Sequence, residues 1–180
     1  MIASGYFVAL NSTPLQRALR IAPARALVAQ ARPEQEFFCF RLGDLRLGVP
    51  SENVLEVLRA GLLTPLPRSP SFLLGVTGHR GEVLPVVDLL RFLAKGEARI
   101  LPRTRIFVGV SGTYVAGVVA DTVLGLRRIL ITDILPPPVG ADAATEHLLG
   151  VVQGATSAET INLLNFSKLL ETARQRAVAR

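Results

Sequence analysis

At 180 residues, the chain is long enough for one domain of ordinary size or for two small domains that share a core. Hydrophobic residues make up 49% of it and charged residues 19%, which excludes disorder over most of its length. The net charge of +6 is concentrated at the start, because residues 1–33 hold four arginines and no acid. The remainder is nearly neutral and lacks the basic stripe of a nucleic-acid-binding protein, so a small-barrel nucleic-acid-binding module is the weaker alternative.

Residues 1–33 are predicted to form a basic, flexible N-terminal extension, rich in alanine and arginine and interrupted by three prolines. Thr13 and Pro14 favour a short helix over 13–19, although an arginine-rich, acid-poor segment also has the composition of an organelle transit peptide. The chain has one cysteine, no basic n-region at its start and no apolar run of ~18 residues. These features favour a cytoplasmic protein with no membrane insertion.

From Glu36 onward, apolar runs alternate with turns that contain glycine or proline, which is typical of a mostly β protein. Single helical turns are predicted at 51–55, capped by Ser51, and at 89–93. An amphipathic helix capped by Asn165 or Ser167 is predicted at 166–176. The predicted strands span 37–42, 45–49, 73–77, 82–87, 105–110, 113–120, 147–152 and 160–164.

The sequence contains an internal repeat. Residues 48–55 match residues 117–124, at an offset of 69 positions, and two further pairs of segments match downstream: 74–76 with 149–151, and 83–93 with 160–170. A β-rich unit of roughly 65 to 75 residues suits a small five-stranded barrel, which hides most of its strand edges by closing. Two such barrels leave a groove between them, and grooves at domain boundaries are common binding sites.

The alternation of apolar residues in the predicted hairpins indicates which side chains fill the two cores. One hairpin of each repeat carries the candidates. In the first copy these are Phe38, Phe40, Leu47 and Val49, and in the second copy they are Phe107, Val115 and Val118.

No residue pattern in the sequence predicts catalysis, a cofactor or a metal. His79 and His147 are the only histidines, and neither has a Cys, Asp or Glu at metal-ligand spacing beyond what chance would give. Cys39 lies in an apolar strand without a predicted base, so a buried structural thiol is expected rather than a nucleophile. Glycine-rich phosphate-binding fingerprints are absent as well. We therefore expect a protein that acts by binding other proteins and not an enzyme.

One segment resembles a known family. Residues 75–89 read GVTGHRGEVLPVVDL, which is similar to the signature of CheW-like domains, usually written G-V-x-N-L-R-G-x-[IV]-[IVL]-P-[IV]-[IV]-D-L. The resemblance extends in order and spacing over about residues 36–172. It includes four further segments: 40–44, 54–57, 117–123 and 161–170.

The resemblance implies two five-stranded β-barrel subdomains with a few short helices and a C-terminal helix. The CheW-like domain would span 34–172, with a first barrel at about 36–93 and a second at about 104–165, allowing for elements that interlock. The C-terminal helix and tail would occupy 166–180.

The same resemblance implies a cytoplasmic adaptor, recruited to receptor clusters, with no enzymatic activity and no cofactor. Such proteins couple a chemoreceptor (a methyl-accepting protein) to a chemotaxis-type histidine kinase. The first barrel would dock on the CheW-like regulatory domain of the kinase, and the groove between the barrels would grip the cytoplasmic tip of the receptor. The implied partner-binding residues are Val54, Glu56, Gly78, His79, Arg80, Gly81, Val123 and Leu126.

The sequence departs from the family pattern at three of its positions. Gly78 and His79 stand where the signature has Asn-Leu, and Gly125 stands where the second barrel commonly has an acid. The alternative is therefore a specialised member that contacts only the receptor or only the kinase.

Structural explanations compete with the binding roles. Val54 and Val123 also fit a hydrophobic core, and Glu56 and Arg80 could simply pair with each other. Three glycines could serve the backbone alone, through positive φ or close approach: Gly75, Gly78 and Gly81.

Overall fold

The structure is a computed structural model, and it describes residues 32–138, 140 and 144–178. Residues 33–180 belong to one compact unit. The predicted helix at 13–19 and most of the predicted N-terminal extension lie outside the described residues. Within the described part of the chain, no helix is both long and apolar enough to cross a membrane.

The described residues form ten strands, two α-helices and four single 3-10 turns. The strands are β1 Glu34–Leu42, β2 Leu45–Pro50, β3 Val54–Arg59, β4 Leu73–His79, β5 Glu82–Val87, β6 Arg105–Ser111, β7 Tyr114–Ala120, β8 Thr122–Leu130, β9 Leu148–Val152 and β10 Ile161–Leu164. The helices are α1 Leu89–Phe92 and α2 Phe166–Val178. The 3-10 turns span Ser51–Asn53, Ile131–Asp133, Thr145–His147 and Ser157–Glu159.

The strands build two five-stranded sheets that share one topology. Sheet I has the order β8-β1-β2-β10-β9, and sheet II has the order β3-β6-β7-β5-β4. Strands at the same place in the two orders are five apart in chain number, so β1 and β2 of sheet I are equivalent to β6 and β7 of sheet II. The other three strands of sheet I, β8, β10 and β9, are equivalent to β3, β5 and β4. The two copies of the repeat therefore exchange their first hairpins, and neither 36–93 nor 104–165 forms a sheet by itself.

In each sheet, the segment that follows one edge strand forms a single backbone bridge to the other edge strand. In sheet II, whose edges are β3 and β4, Thr64 lies beyond β3 and exchanges two hydrogen bonds of 2.9 Å with Val76 of β4. Leu135, beyond β8, does the same with Val151 of β9. The mostly β fold of two five-stranded units that the sequence predicts is thereby confirmed.

Glycines at equivalent positions of the repeat permit these bridges. Gly75 and Gly150 precede the bridged residues Val76 and Val151. A Cβ at Gly75 would collide with the carbonyl oxygen of Thr64, and one at Gly150 with that of Leu135. Gly75 also has a φ of +143°, which favours glycine. The backbone explanation therefore holds for Gly75, whereas Gly78 lacks a positive φ, and a Cβ added there would meet no described atom within 4 Å.

The larger hydrophobic core lies between the two sheets and takes residues from both, while a smaller one lies within sheet I: Phe37, Cys39, Ile129, Ile161 and Leu163. The ring of Phe107 in β6 lies 5.3 Å from that of Phe38 and 4.9 Å from that of Phe40, both in β1 of the other sheet. Phe166, the first residue of α2, packs on the same ring at 5.9 Å. The predicted core residues are confirmed, with one exception, as buried: Phe38, Phe40, Leu47, Val49, Phe107 and Val118.

The exception is Val115, which is 41% exposed. It lies at the beginning of β7, where the first two residues of the strand project beyond the core and the last five are buried. Burial in β7 thus follows the distance from the hairpin turn and not the alternation of faces, and the prediction for Val115 is wrong.

Side-chain caps fix where both helices begin. Asn165 caps α2, since its Oδ1 accepts the N–H of Lys168 at 3.0 Å, which confirms one of the two predicted caps. Buried Asp88 caps α1 and also accepts the N–H of Ala98 at 2.8 Å. Ser51 makes no capping hydrogen bond to a described residue, and the predicted turn at 51–55 is wrong beyond 53, where β3 begins.

Candidate partner-binding surface

Arg80 occupies a two-residue turn between β4 and β5. Arg80 has a φ of +51° and Gly81 a φ of +85°, which is the pattern of a type I′ hairpin turn. Residues other than glycine, asparagine and aspartate rarely adopt this conformation, which costs an L-residue about 1–2 kcal/mol. Arg80 therefore occupies a position that its own backbone preference disfavours, and such strain is often found at functional sites.

Glu56 of β3 contacts two side chains where β4 ends, those of His79 and Arg80. Its Oε1 lies 2.8 Å from a terminal guanidinium nitrogen of Arg80 and 3.1 Å from Nε2 of His79. The Glu56 and His79 side chains are 28% and 16% exposed, whereas that of Arg80 is 75% exposed. Glu56 and Arg80 do pair with each other, as the competing structural explanation allows, and the pair leaves most of the guanidinium open to solvent.

These three residues border a depression at one end of sheet II, which we call the mouth of sheet II. Its volume is about 410 Å³, and its other lining residues are Leu55, Glu82, Val108 and Val115. Strands β3, β5 and β7 begin at this end, and β4 and β6 end there, so all five strands of the sheet reach it. The mouth combines charged side chains with the exposed apolar residues Leu55 and Val115.

A second depression, the seam groove, lies where the two sheets meet. It also measures about 410 Å³ and is lined by Val57, Arg103, Arg105, Asp121, Thr122 and Val123. Val57 is the register partner of Phe107, and Val123 is that of Phe40. The groove therefore follows the aromatic contact between the sheets.

The remaining predicted partner-binding residues lie in different places. Val123 lines the seam groove, whereas Val54 does not and instead packs against the core as a partly buried residue, as Val123 also does. Leu126 is 60% exposed on β8, an edge strand of sheet I. Gly78 lies opposite Val83 in the β4–β5 ladder, beside the mouth of sheet II. The predicted residues therefore do not form one surface: some lie at the mouth, Val123 lines the seam groove, and Val54 and Leu126 line neither depression.

Cys39 and His147 are both buried away from these depressions. Burial raises the pKa of the Cys39 thiol, so it is held in its unreactive form, as expected of a structural cysteine. Burial lowers the pKa of His147, whose ring packs on Phe92 at 5.2 Å while neither of its nitrogens has a hydrogen-bond partner among the residues that the structure describes. No cluster of three or more metal-ligand side chains occurs within 32–138, 140 and 144–178.

Asp88 is a residue whose role was not assigned from the sequence. It belongs to the family-like signature, yet it is fully buried and binds three backbone N–H groups. Its position immediately before an apolar helical turn is the signal of an N-cap that could have revealed this role. The signature is therefore partly a folding motif and not solely a binding motif.

Comparison with known proteins places this architecture in a family. The CheW-like domain matches residues 36–174. The chain is 84% identical to Protein FrzA of Myxococcus xanthus over 160 residues, which is 89% of this chain and all of that protein. It is 32% identical to the chemotaxis protein CheW of Klebsiella aerogenes, over 77% of this chain and 82% of that one.

A solved structure agrees with the fold. The scaffolding protein TtCheW from Thermoanaerobacter tengcongensis superposes with a TM-score of 0.67 at 25% identity, covering 76% of this chain and 88% of that one. Two five-stranded sheets and a C-terminal helix, together with the signature at 75–89, account for both kinds of similarity. The chain belongs to the family of CheW-like domains, whose members are scaffold proteins of chemotaxis-type signalling without catalytic activity of their own.

Proposed function

We propose that this protein is an adaptor that couples a chemoreceptor to a chemotaxis-type histidine kinase. It would bind the cytoplasmic tip of the receptor and the CheW-like regulatory domain of the kinase, and so be recruited to receptor clusters in the cytoplasm. The observation that carries this proposal is the strained, exposed Arg80 at the mouth of sheet II, held at its base by Glu56.

The chemistry of Arg80 suits a protein partner. A guanidinium presents five donors in a planar fork that fits a carboxylate or the carbonyl oxygens at the end of a partner helix. Because one terminal nitrogen already contacts Glu56, the side chain is oriented before binding and loses less conformational freedom on association. Exposed Leu55 and Val115 beside it supply apolar area that a partner would cover.

The two sheets offer unequal surfaces despite their shared topology. In the repeat, Gly125 of β8 occupies the position of Glu56 in β3, so sheet I has no carboxylate at the equivalent place. This asymmetry supports a model in which a partner is bound through an arginine–carboxylate pair at the mouth of sheet II and not at the equivalent place of sheet I. It also favours the second candidate function, a specialised adaptor that contacts only one of the two partners.

Reconstitution tests the proposal. Purified kinase and receptor are combined with and without this chain, and autophosphorylation of the kinase is measured. An adaptor should make the kinase rate depend on the receptor, whereas a chain that binds one partner alone should leave the rate independent of the receptor. If neither partner co-sediments with the chain, the adaptor function is wrong.

A further inference from the structure

His79 stands where the CheW-like signature has leucine, and it makes a contact that a leucine cannot make. It is the last residue of β4, opposite Glu82 of β5 and next to the turn that contains Arg80. Its Nε2 lies 3.1 Å from Oε1 of Glu56, which belongs to the other edge strand of the sheet. The imidazole therefore links the two edge strands of sheet II at its mouth.

One carboxylate oxygen of Glu56 contacts both neighbouring side chains. Oε1 lies within hydrogen-bond distance of a terminal nitrogen of Arg80 and of the ring of His79. A ring nitrogen this close to a carboxylate oxygen carries a proton, because two lone pairs would repel each other. Nε2 of His79 is therefore a donor to Glu56, whether the ring is neutral or charged.

The three side chains differ in how firmly the protein holds them. The side chains of His79 and Glu56 are mostly covered, whereas that of Arg80 is mostly exposed. Arginine and glutamate lose much side-chain entropy when they are fixed, so an exposed pair of the two is weakly held by itself. A hydrogen bond from the more covered imidazole restricts the carboxylate, and the carboxylate then restricts the guanidinium.

Glu82 is another acid at the mouth, and it does not take the place of Glu56. It lines the same depression and is the cross-strand neighbour of His79. No ion pair joins it to His79 or to Arg80 within the part of the chain that the structure describes. The contacts at the mouth therefore converge on Glu56, and Glu82 offers a matched control.

We infer that His79 is a positioning residue for Arg80. It fixes the Glu56 carboxylate, which in turn holds the guanidinium in the orientation that a partner meets. A side chain that is ordered before binding loses less freedom on association, so the loss of His79 should weaken binding without removing a group that touches the partner. The inference rests on the proposed function for the partner of Arg80, but not for the order of Arg80 in the free protein.

Two substitutions separate the hydrogen bond of His79 from the bulk of its ring. His79→Leu installs the residue of the family signature and removes the donor. His79→Gln retains an amide N–H donor without the ring. Glu82→Gln is the control, because it changes the mouth at a residue that does not contact Glu56. Thermal melts establish that each variant folds, and His79→Ala replaces His79→Leu if the latter does not.

The first measurement needs no partner. NMR relaxation of the Arg80 Nε–H group reports how freely the side chain moves on the picosecond-to-nanosecond timescale. In His79→Leu, Arg80 should become nearly as mobile as in Glu56→Ala, which removes the carboxylate altogether. His79→Gln and Glu82→Gln should leave it as ordered as in the wild type. Unchanged order in His79→Leu, or no restoration by His79→Gln, would overturn the inference.

The second measurement is titration calorimetry against the kinase regulatory domain and the receptor tip. For a partner that binds through Arg80, His79→Leu should weaken binding at least about threefold, while His79→Gln should stay within about twofold. In the Arg80→Ala background, His79→Leu should have no further effect, because residues that act through one another are not additive. A further loss in that background would mean that His79 touches the partner itself, which would overturn the positioning role.

The two measurements separate this inference from the proposed function. If Arg80 loses order in His79→Leu but the wild type binds neither receptor nor kinase, the adaptor function fails and the positioning role stands. If both partners bind through Arg80 while its order does not depend on His79, the positioning role fails and the adaptor function stands.

Discussion

Glu56 and His79 belong to the two outermost strands of sheet II, yet Oε1 of Glu56 lies 3.1 Å from Nε2 of His79. The isolated Thr64–Val76 bridge likewise joins the segment that follows β3 to β4. Arg80, just after one edge strand, also contacts the Glu56 carboxylate on the other. The geometry of the mouth therefore depends on contacts between the two edges of the sheet.

Because Arg80 has a positive φ, two substitutions of it should differ in their effect on stability but not in their effect on binding. Arg80→Ala and Arg80→Asn both remove the ion pair, which contributes about 0–1 kcal/mol because it is largely exposed. Asn tolerates positive φ better than Ala, so Arg80→Asn should be about 1 kcal/mol more stable than Arg80→Ala. Denaturant unfolding measures the difference. Both variants should lose partner binding equally.

Arg80→Lys provides the control for that comparison. A lysine ammonium retains the charge but not the planar fork, so binding should be restored only in part. Full restoration would show that charge alone suffices, and unfolding of Arg80→Ala would make Arg80 a structural residue.

Closure of the sheets should depend on the glycines that permit it. Gly75→Ala and Gly150→Ala each place a Cβ against a backbone carbonyl of the bridging segment, so each should lower the free energy of unfolding by more than about 2 kcal/mol. Gly78→Ala, in the same strand as Gly75, meets no described atom within 4 Å and should change it by less than about 0.5 kcal/mol. Equal effects at all three positions would show that the bridges do not stabilise the fold.

Buried His147 should make stability depend on pH. Burial lowers its pKa in the folded state, helped by Lys168 and Arg176, while Glu146 opposes the shift. In the unfolded chain the pKa is ~6.5. Below that value the unfolded state binds more protons, so the protein loses stability as the pH falls toward the folded pKa, at up to ~1.4 kcal/mol per pH unit.

The variant His147→Phe keeps an aromatic ring beside Phe92 and removes the titrating group. Urea unfolding of the two proteins near neutral pH and about one unit below ~6.5 gives the comparison. The wild type should lose more stability than the variant. An identical pH dependence would mean that His147 does not account for it.

Local sequence patterns predicted the repeat but not the exchange of hairpins. The match of 74–76 with 149–151 identified Gly75 and Gly150 as equivalent, and both permit an edge bridge. Which strand pairs with β2 is a non-local choice, since β5 and β10 have the same pattern in the two copies. The sequence therefore could not show that β2 pairs in parallel with β10.

Strands β3 and β8 were not predicted, and they carry much of the candidate surface. Both are edge strands with many half-exposed residues, and each follows a strand of the other sheet after a very short connection. Such strands lack the continuous apolar run that marks a central strand. The Glu56–Arg80 pair could be anticipated from the resemblance, whereas the participation of His79 and the arginines of the seam groove depend on how the sheets curl and meet.

Binding of signalling partners through Arg80 is the property on which the proposed function depends. Titration calorimetry of the purified wild type against a chemoreceptor tip and against a kinase regulatory domain from the same organism tests it most directly. Binding in the micromolar range is predicted, typical of transient signalling contacts, and Arg80→Ala should weaken it at least about thirtyfold. No heat of binding with either partner, or unchanged affinity of Arg80→Ala for both, would contradict the account.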